Sequence, residues 1–306
     1  MFETSVLFII FNRPDTTQQV FDEIKKVKPR YLYVAADGVR PNNSIDVEKV
    51  KQTRDIINQV NWDCELKTLF RDENKGCGKG PAEAISWFFE NVEQGIILED
   101  DCVPHPDFFP FCEQMLNEFK EDERITSIAG SNFQDGKKRS KGSYYFSVHN
   151  RIWGWASWRR TWNNYDYYLK NIEKSEFENL LLNLFSNQTE RNYWNNVYQI
   201  VTENRLNDSC WDYQFMFMQW KLNGLTLIPN VNLVSNIGDG EDATHTINWT
   251  NNKNLRRQTG SIFPIILNQK IERSISADDY YFRKYISNQR TIFQKITSKI
   301  RKFVKM

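Results

Sequence analysis

The sequence has almost no net charge, few histidines and no long apolar run. Its 306 residues include 40 Lys or Arg and 39 Asp or Glu, which leaves a formal net charge of +1. Because a balanced chain has no overall field that attracts polyanions, we expect no nucleic-acid partner. The apolar runs fall well short of the roughly 20 residues that a membrane-spanning helix needs. The length suffices for a large domain with its own core.

The five cysteines are widely spaced, and no CxxC pair suggests a zinc or redox site. We therefore expect free thiols in a reducing compartment. The N-terminal apolar run "SVLFIIFN" is too short for a signal peptide, and no basic segment precedes it. Together these features predict a cytoplasmic protein.

The first third alternates apolar runs with helical patterns. The runs "SVLFIIF", "YLYVAA", "CELKTLF" and "GIIL" are predicted strands, and helices such as "GPAEAISWFFENV" lie between them. Strands separated by helices predict a parallel sheet with helices on both faces. From about Tyr144 the chain is rich in aromatic residues, with a long polar helical stretch through Asn204, but no linker divides it.

Polar residues follow each predicted strand. In such sheets, ligands bind beyond the carboxyl ends of the strands, so these residues are candidates for a nucleotide site: Asn12, Arg13, Asp37, Lys75 and Lys79. The glycine-rich stretch "RDENKGCGKG" after the third strand matches neither the P-loop nor the GxGxxG turn. Both a phosphate-binding loop and a plain glycine-rich connection are open interpretations.

Three acids, Glu99, Asp100 and Asp101, directly follow the apolar run of the fourth strand. Like charges at one strand end repel each other unless something positive lies there. Carboxylates at such an edge suit Mg²⁺ or Mn²⁺, which fills its other positions with water and substrate phosphates. The alternative is a solvated turn whose acids cap the helix that starts near Pro106.

The segment "ILEDD" resembles the metal motif of glycosyltransferases with the GT-A fold. The resemblance is closest to the inverting N-acetylglucosaminyltransferase I type and its bacterial relatives. "WGWASWRRTW" (153–162) is similar to the family's Gly-Trp stretch, and "CWDYQF" (210–215) to its Trp-Asp segment. The family often has two adjacent acids after that Trp, whereas here Tyr213 takes the second position.

This resemblance, over roughly residues 4 to 250, implies a Rossmann-like α/β nucleotide-diphospho-sugar transferase fold with a mostly parallel central sheet. It implies a donor that is a nucleotide sugar, with UDP favoured, and Mn²⁺ or Mg²⁺ as cofactor. Asp101 would bind the metal, Asp100 would meet the ribose or the metal's waters, and Glu99 would support the donor. Arg13 and Asp37 would border the base and ribose.

The resemblance also assigns the acceptor side. Asp212 would be the general base of an inverting transfer, and the residues beside the acceptor would be Trp153, Gly154, Trp155 and Trp211. The segment "GDGEDATHT" (238–246) is similar to a loop that closes over the donor, with His245 as a metal or diphosphate contact. The acceptor would be a glycan or a lipid-linked saccharide.

We expect a single domain over residues 1–270, with a nucleotide-sugar half (1–130) and an acceptor half (131–270). We expect residues 271–306 to be a separate tail; in its last stretch, 290–306, Ile292, Ile296, Ile300 and Phe303 fall on one helical face among six basic residues. Such a helix is typical of peripheral contact with the inner face of a membrane.

Two other functions fit parts of the pattern. A sugar nucleotidyltransferase also uses a parallel sheet and a metal, but it would be expected to carry a glycine-rich loop after the first strand, where "FNRPDTT" has no glycine. A non-catalytic glycan-binding protein on the same fold is the other alternative, which Asp212 and the three acids disfavour.

Overall fold

The first half of the chain alternates strands and helices, as the sequence predicts. The computed structural model describes residues 2–206, 208–238 and 256–287. In chain order the elements are β1 (Val6–Ile10), α1 (Pro14–Val27), β2 (Tyr31–Ala36), α2 (Ser44–Asp55), β3 (Glu65–Phe70), α3 (Gly76–Asn91) and β4 (Gln94–Glu99).

The second half adds shorter strands and a helical layer. Its elements are β5 (Cys102–Pro104), α4 (Phe108–Glu118), β6 (Ile125–Ala129), β7 (Tyr144–Ser147), β8 (Trp155–Trp158), α5 (Arg159–Trp162), α6 (Lys174–Leu184), α7 (Gln188–Thr202), α8 (Asp212–Lys221), β9 (Leu225–Pro229), β10 (Val234–Asn236) and α9 (Ile275–Tyr281). A single π-helical turn, Phe282–Ile286, continues α9.

In the described residues the main sheet has eight strands in the order β3-β2-β1-β4-β8-β6-β9-β7. The four strands from β3 to β4 are mutually parallel, and β6 pairs parallel with β9. Strands β8 and β7 run antiparallel to their neighbours. The predicted α/β class, with a mostly parallel central sheet flanked by helices, is confirmed.

Helices cover both faces of the sheet. On one face Phe8 packs with Phe21 of α1 and with the apolar side of α4. On the other face Leu7 packs with Phe88 of α3 and with Phe215 of α8. Burial of both faces explains why β1, β2 and β4 read as continuous apolar runs rather than as alternating patterns, whereas the edge strand β3 is exposed or half-buried.

The later helices form a third cluster rich in aromatic side chains, built mainly by α6, α7 and α8. The described part of the predicted tail, 271–287, packs against the body: Ala277 and Phe282 are 1% and 3% exposed. The predicted amphipathic helix beyond it lies outside the described residues. Within the described ranges, no helix is both long enough and apolar enough to span a bilayer.

Candidate active site

The strand register brings the predicted site residues to one level of the sheet. Ile10 pairs with Ala36, Ala36 with Phe70, and Ile9 with Glu99. The segments that follow β1, β2, β3 and β4 therefore leave the sheet side by side at its carboxyl edge. The predicted convergence of these strand ends is the geometry that the fold produces.

Arg13 lies between two of the three acids. It occupies the N-cap position of α1, directly before Pro14, and its guanidinium donates to both carboxylates: Nη2 to Asp100 Oδ1, and Nη1 to Asp101 Oδ2 at 3.0 Å. The backbone N–H of Phe11 donates to the other oxygen of Asp100 at 3.2 Å. Part of the positive charge that the acidic strand end requires therefore comes from the chain itself.

One arginine does not balance the carboxylates around it. Burial, followed by repulsion from Asp101 and Asp100, raises the pKa of Glu99 to about 8; Arg13 opposes this rise and Asp212 adds to it. Burial also raises the pKa of Asp100 to about 6, although Arg13 lowers it. The strand end thus keeps an excess of negative charge that a bound cation would relieve.

The neighbourhood of Asp101 is built by the small sheet of β5 and β10. Asn236 pairs with Cys102 across this sheet, and its Nδ2 donates to Asp101 Oδ1 at 3.2 Å. A Cβ atom on Gly238 would come within 2.2 Å of Asp101 Oδ2, so a side chain at this position would collide with the carboxylate. His245, the other predicted metal ligand, lies outside the described residues.

The donor set fits only one kind of metal site. No three or more His, Cys, Asp or Glu side chains come together to hold a metal within the described ranges. Mg²⁺ and Mn²⁺ sites that act on phosphates, however, need only one or two carboxylates, because water and substrate oxygens complete the coordination. Glu99 and Asp101 are both partly exposed and meet that smaller requirement. They would hold an ion shared with a substrate phosphate.

Asp37 is occupied by the backbone at the start of α3. Its carboxylate accepts the N–H groups of Lys75 at 2.9 Å and Gly76 at 3.0 Å. These contacts cap α3, which begins at Gly76, four residues before the predicted helix start at Gly80. The place of Asp37 beside the ribose remains a prediction. The structure adds a capping role for Asp37 that the sequence did not indicate.

The three glycines of the glycine-rich stretch, Gly76, Gly78 and Gly80, lie in the first part of this helix rather than in a loop. A Cβ atom on Gly78 would lie 2.0 Å from the backbone oxygen of Asp208. The absence of a side chain therefore lets the segment before α8 pack directly on α3. Close packing within the chain accounts for the glycine at position 78, and the phosphate-binding interpretation of this stretch stays a prediction.

Asn12 belongs to a buried polar group that sequence reasoning missed. Its Nδ2 donates to Asp46 Oδ1 at 2.8 Å, and Arg40 Nε donates to Asp46 Oδ2 at 2.5 Å. The bond from Arg40 is the main reason that the pKa of Asp46 is lowered. In the sequence Asp46 is one acid in a polar helix, so only its tertiary position identifies it.

A cleft of about 620 Å³ opens beside the start of α3. Lys75, Cys77 and Lys79 line one side, and Asp208 and Ser209 line another. Lys79 Nζ lies 2.8 Å from Asp208 Oδ2. Burial raises the pKa of Cys77, and repulsion from Glu99 and Asp212 adds to this rise.

Asp212 is the first residue of α8, and the preceding Trp211 stacks on Trp155, which pairs with Ile97 of β4, two residues before Glu99. Asp212 contributes to the raised pKa of both Glu99 and Cys77, although Glu99 is more than a hundred residues away in sequence. Asn150 Nδ2 donates to the backbone oxygen of Asp212 at 3.2 Å. Tyr165 Oη donates to the preceding carbonyl, that of Trp211, at 3.1 Å. These contacts fix the start of the helix.

The predicted acceptor-side tryptophans divide into two groups. Trp155 and Trp211 are 1% and 4% exposed, and their rings stack with centroids 5.9 Å apart, which makes them core residues here. Trp153 is partly exposed and packs on Phe133 at 5.2 Å. Gly154 has φ of +60°, and a Cβ atom there would lie 2.7 Å from Val234 Cγ2.

Comparisons with known proteins give only distant similarities. No family model matches the chain, and no curated protein matches it. A cytidylyltransferase from Leptospira borgpetersenii serovar Hardjo-bovis has 12% identity and a TM-score of 0.33, covering 68% of this chain and 74% of that one. A UDP-glucose pyrophosphorylase in complex with UDP-glucose has 9% identity and a TM-score of 0.31, with 52% and 78% coverage.

Similarity this distant assigns no reaction to the chain. It also gives no support to the resemblance to the N-acetylglucosaminyltransferase I type, since the enzymes found are nucleotidyltransferases.

Proposed function

We propose that this protein is a metal-dependent glycosyltransferase that moves a sugar from a nucleoside diphosphate sugar, a UDP-sugar in the favoured case, to an acceptor hydroxyl. The observation that carries the proposal is that α8 begins at Asp212 beside the end of β4, where Glu99, Asp100 and Asp101 lie, because Trp211 stacks on Trp155 and Trp155 pairs with Ile97. One carboxylate on the acceptor side and a carboxylate pair on the donor side are the groups that such a transfer needs.

In this proposal Asp212 accepts the proton of the acceptor hydroxyl as the new bond forms, which typically contributes 10²–10⁴-fold to the rate. Its backbone is held at the start of α8 by Asn150, so its side chain is presented from a fixed helix end. Glu99 and Asp101 would hold the divalent ion, which when bound offsets the charge of the departing diphosphate. Arg13 keeps Asp100 and Asp101 in place.

The test of the base is Asp212→Asn, which preserves size but cannot accept a proton. We expect retained donor binding and a fall of about 10²–10⁴-fold in kcat, measured as release of nucleotide diphosphate from a panel of nucleotide sugars with candidate acceptors. Asp122→Asn makes the same change beside Arg124, remote from the crevice, and is the matched control. Near wild-type transfer by Asp212→Asn, or retention of the anomeric configuration, would exclude this mechanism.

The donor site is tested by Asp101→Ala in a thermal-shift titration with UDP, with and without Mn²⁺. A ligand that binds only the native state raises the melting temperature. We expect the wild-type protein to show a Mn²⁺-dependent shift with UDP and the variant to show none. An equal shift in both proteins would remove Asp101 from the metal site.

Sugar nucleotidyl transfer is the second candidate. An acidic strand end beside the lysines of the α3 cleft would serve that reaction as well, and the solved structures named above are of such enzymes. Against it, α1 begins at Pro14, four residues after β1 ends, which leaves no room for a phosphate-wrapping loop. Formation of nucleoside triphosphate from a nucleotide sugar and pyrophosphate would favour this second candidate, whereas release of nucleoside diphosphate favours the first.

The acceptor is proposed to be a glycan or a lipid-linked saccharide. Residues 288–306 carry six basic residues and no acid, so a basic helix in this tail would bring the protein to the inner face of a membrane where a lipid-linked acceptor resides. Cosedimentation of the full chain and of a chain ending at Asn288 with anionic vesicles tests this role: equal binding by the two proteins would contradict it.

A further inference from the structure

A second charged feature of the folded body lies outside the acidic crevice. The segments 135–141 and 279–284 contain two aspartates and six basic residues: Lys137, Lys138, Arg139, Lys141, Arg283 and Lys284. We call these six residues the basic face. The chain as a whole has a net charge of only +1, so this accumulation of positive charge is local.

The two segments meet around the ring of Tyr280. Lys137 Nζ lies 4.3 Å from the ring centroid, and Lys284 Nζ lies 5.5 Å from it. The guanidinium carbon of Arg139 lies 5.1 Å from the same centroid. Lys137, Arg139 and Lys284 therefore share one surface, although they are far apart in sequence, and the other members of the basic face lie within four residues of them.

One aspartate only partly offsets this charge. Asp135 accepts hydrogen bonds from Lys284 Nζ, Tyr280 Oη and Arg257 Nη2, each at 2.6 Å. Lys137, Lys138 and Lys141 remain exposed to solvent. Like charges held this close repel each other unless an anion lies opposite them.

The position of the basic face indicates what that anion is. The segment 135–141 connects the end of β6 to the start of β7, so it lies at the carboxyl edge of the sheet, where the crevice also opens. The described chain ends at Ser287, three residues after Lys284, and the residues beyond it add six basic side chains and no acid. Charge distributed over the body and continued by the chain end matches an extended anionic surface.

We infer that the basic face docks the folded body on a bilayer that contains anionic lipid, with the carboxyl edge of the sheet turned toward the lipid headgroups. Binding would fall as salt rises, because solvent-exposed charges are screened within about 10 Å at 0.1 M salt. Tyr280 places an aromatic ring with a hydroxyl at the centre of this surface, a residue type that is enriched at membrane interfaces. This inference concerns binding alone and does not depend on the proposed reaction.

The test measures cosedimentation with vesicles of phosphatidylglycerol and phosphatidylcholine, using the full chain and a chain that ends at Ser287. Each basic residue near an anionic surface contributes a factor of about five to binding. Lys137→Glu with Lys138→Glu should therefore weaken the binding of both chains by at least about 25-fold. Lys26→Glu with Lys120→Glu makes the same charge change at exposed positions near the opposite edge, and should weaken it far less.

Three results would overturn the inference. The first is equal loss of binding in the two double variants, because that would reflect net charge alone. The second is binding of the wild-type protein to pure phosphatidylcholine vesicles as tight as to the anionic ones. The third is a wild-type chain that ignores anionic vesicles but binds a soluble anionic polysaccharide through Lys137 and Lys138, which would make the basic face a polymer site.

Discussion

His149 and Glu190 form a buried pair whose opposite pKa shifts predict an unusual pH dependence of stability. The side chains are 0% and 3% exposed, respectively, and His149 Nε2 lies 3.5 Å from Glu190 Oε1. The imidazole packs against Phe185 and Trp194 with ring centroids 5.8 and 5.6 Å apart. Burial lowers the pKa of His149 well below 6.5 and raises the pKa of Glu190 to about 7.

These shifts act on stability with opposite signs. In the unfolded chain the reference pKa values are about 6.5 for His and 4.3 for Glu. Between these values the unfolded state binds a proton at His149 and none at Glu190, whereas the native state binds one at Glu190 and none at His149. The two differences cancel, so the pair adds no net slope in the wild-type protein.

Single variants should separate the two effects. In Glu190→Gln the unfolded state alone takes up a proton at His149, so stability should fall as the pH drops below about 6.5, by about 1.4 kcal/mol per pH unit. In His149→Leu the native state alone keeps a proton at Glu190, so stability relative to wild type should fall as the pH rises from about 4.3 to 6.5; above that the wild-type pair loses stability at the same rate. The total change relative to wild type would be on the order of 3 kcal/mol.

The assay is urea unfolding followed by tryptophan fluorescence at several pH values from about 5 to 8, with each variant compared with wild type at the same pH. This difference removes the contributions of all other titrating groups. Glu178→Gln, on α6, controls for loss of a carboxyl group. Variants whose stability differs from wild type by a constant amount at every pH would refute the reasoning and indicate that the pair is ionised inside the protein.

Two further predictions concern the packing of the crevice. Arg13→Gln should lower the free energy of unfolding by about 3 kcal/mol, because it leaves Asp100 buried without its cation. Adding Asp100→Asn should recover part of that loss in a double-mutant cycle. Strictly additive effects of the two substitutions would contradict the pairing. Gly78→Ala should lower the free energy of unfolding by about 1–3 kcal/mol, because the added Cβ atom would clash with Asp208. The loss should be larger than for Gly80→Ala, where the nearest atom would lie 3.3 Å from the added Cβ. Equal stability of the two variants would show that the chain relaxes the close approach at no cost.

The first half of the fold could be predicted because most of its strands are visible in the sequence as continuous apolar runs. β1, β2 and β4 are buried on both faces, and the predicted strand Tyr31–Ala36 has the bounds of β2. The short strands β7, β8 and β10 were not predicted, since three or four residues with no period carry too little signal. Their pairing is decided by distant partners, as where β8 inserts between β4 and β6.

The candidate site was predictable to the same degree. Acids placed directly after a buried strand identify a crevice in a parallel sheet, and Asp212 followed from a resemblance. The sequence could not show that Arg13 pairs with two of those acids, because the contact spans 87 residues. Nor could it show that Trp155 and Trp211 are core residues, since an aromatic residue looks the same in a core and on a sugar-binding surface.

The small net charge of the chain conceals two local fields of opposite sign at one edge of the sheet. The acidic crevice follows β4, and the basic face follows β6. These strands run in the same direction because β8, between them, is antiparallel to both, so both segments must leave the sheet at the same edge. A contact path joins them: Leu98 lies against Gly154, the neighbouring Trp153 packs on Phe133, and Phe133 packs on Tyr285.

An anionic surface held by the basic face would repel the acidic crevice unless a cation occupied it. If a divalent ion binds at Glu99 and Asp101 as proposed, that ion and the anionic surface at Lys137 are therefore expected to favour each other's binding. A stronger Mn²⁺ dependence of UDP binding in the presence of anionic vesicles would be the sign of that coupling.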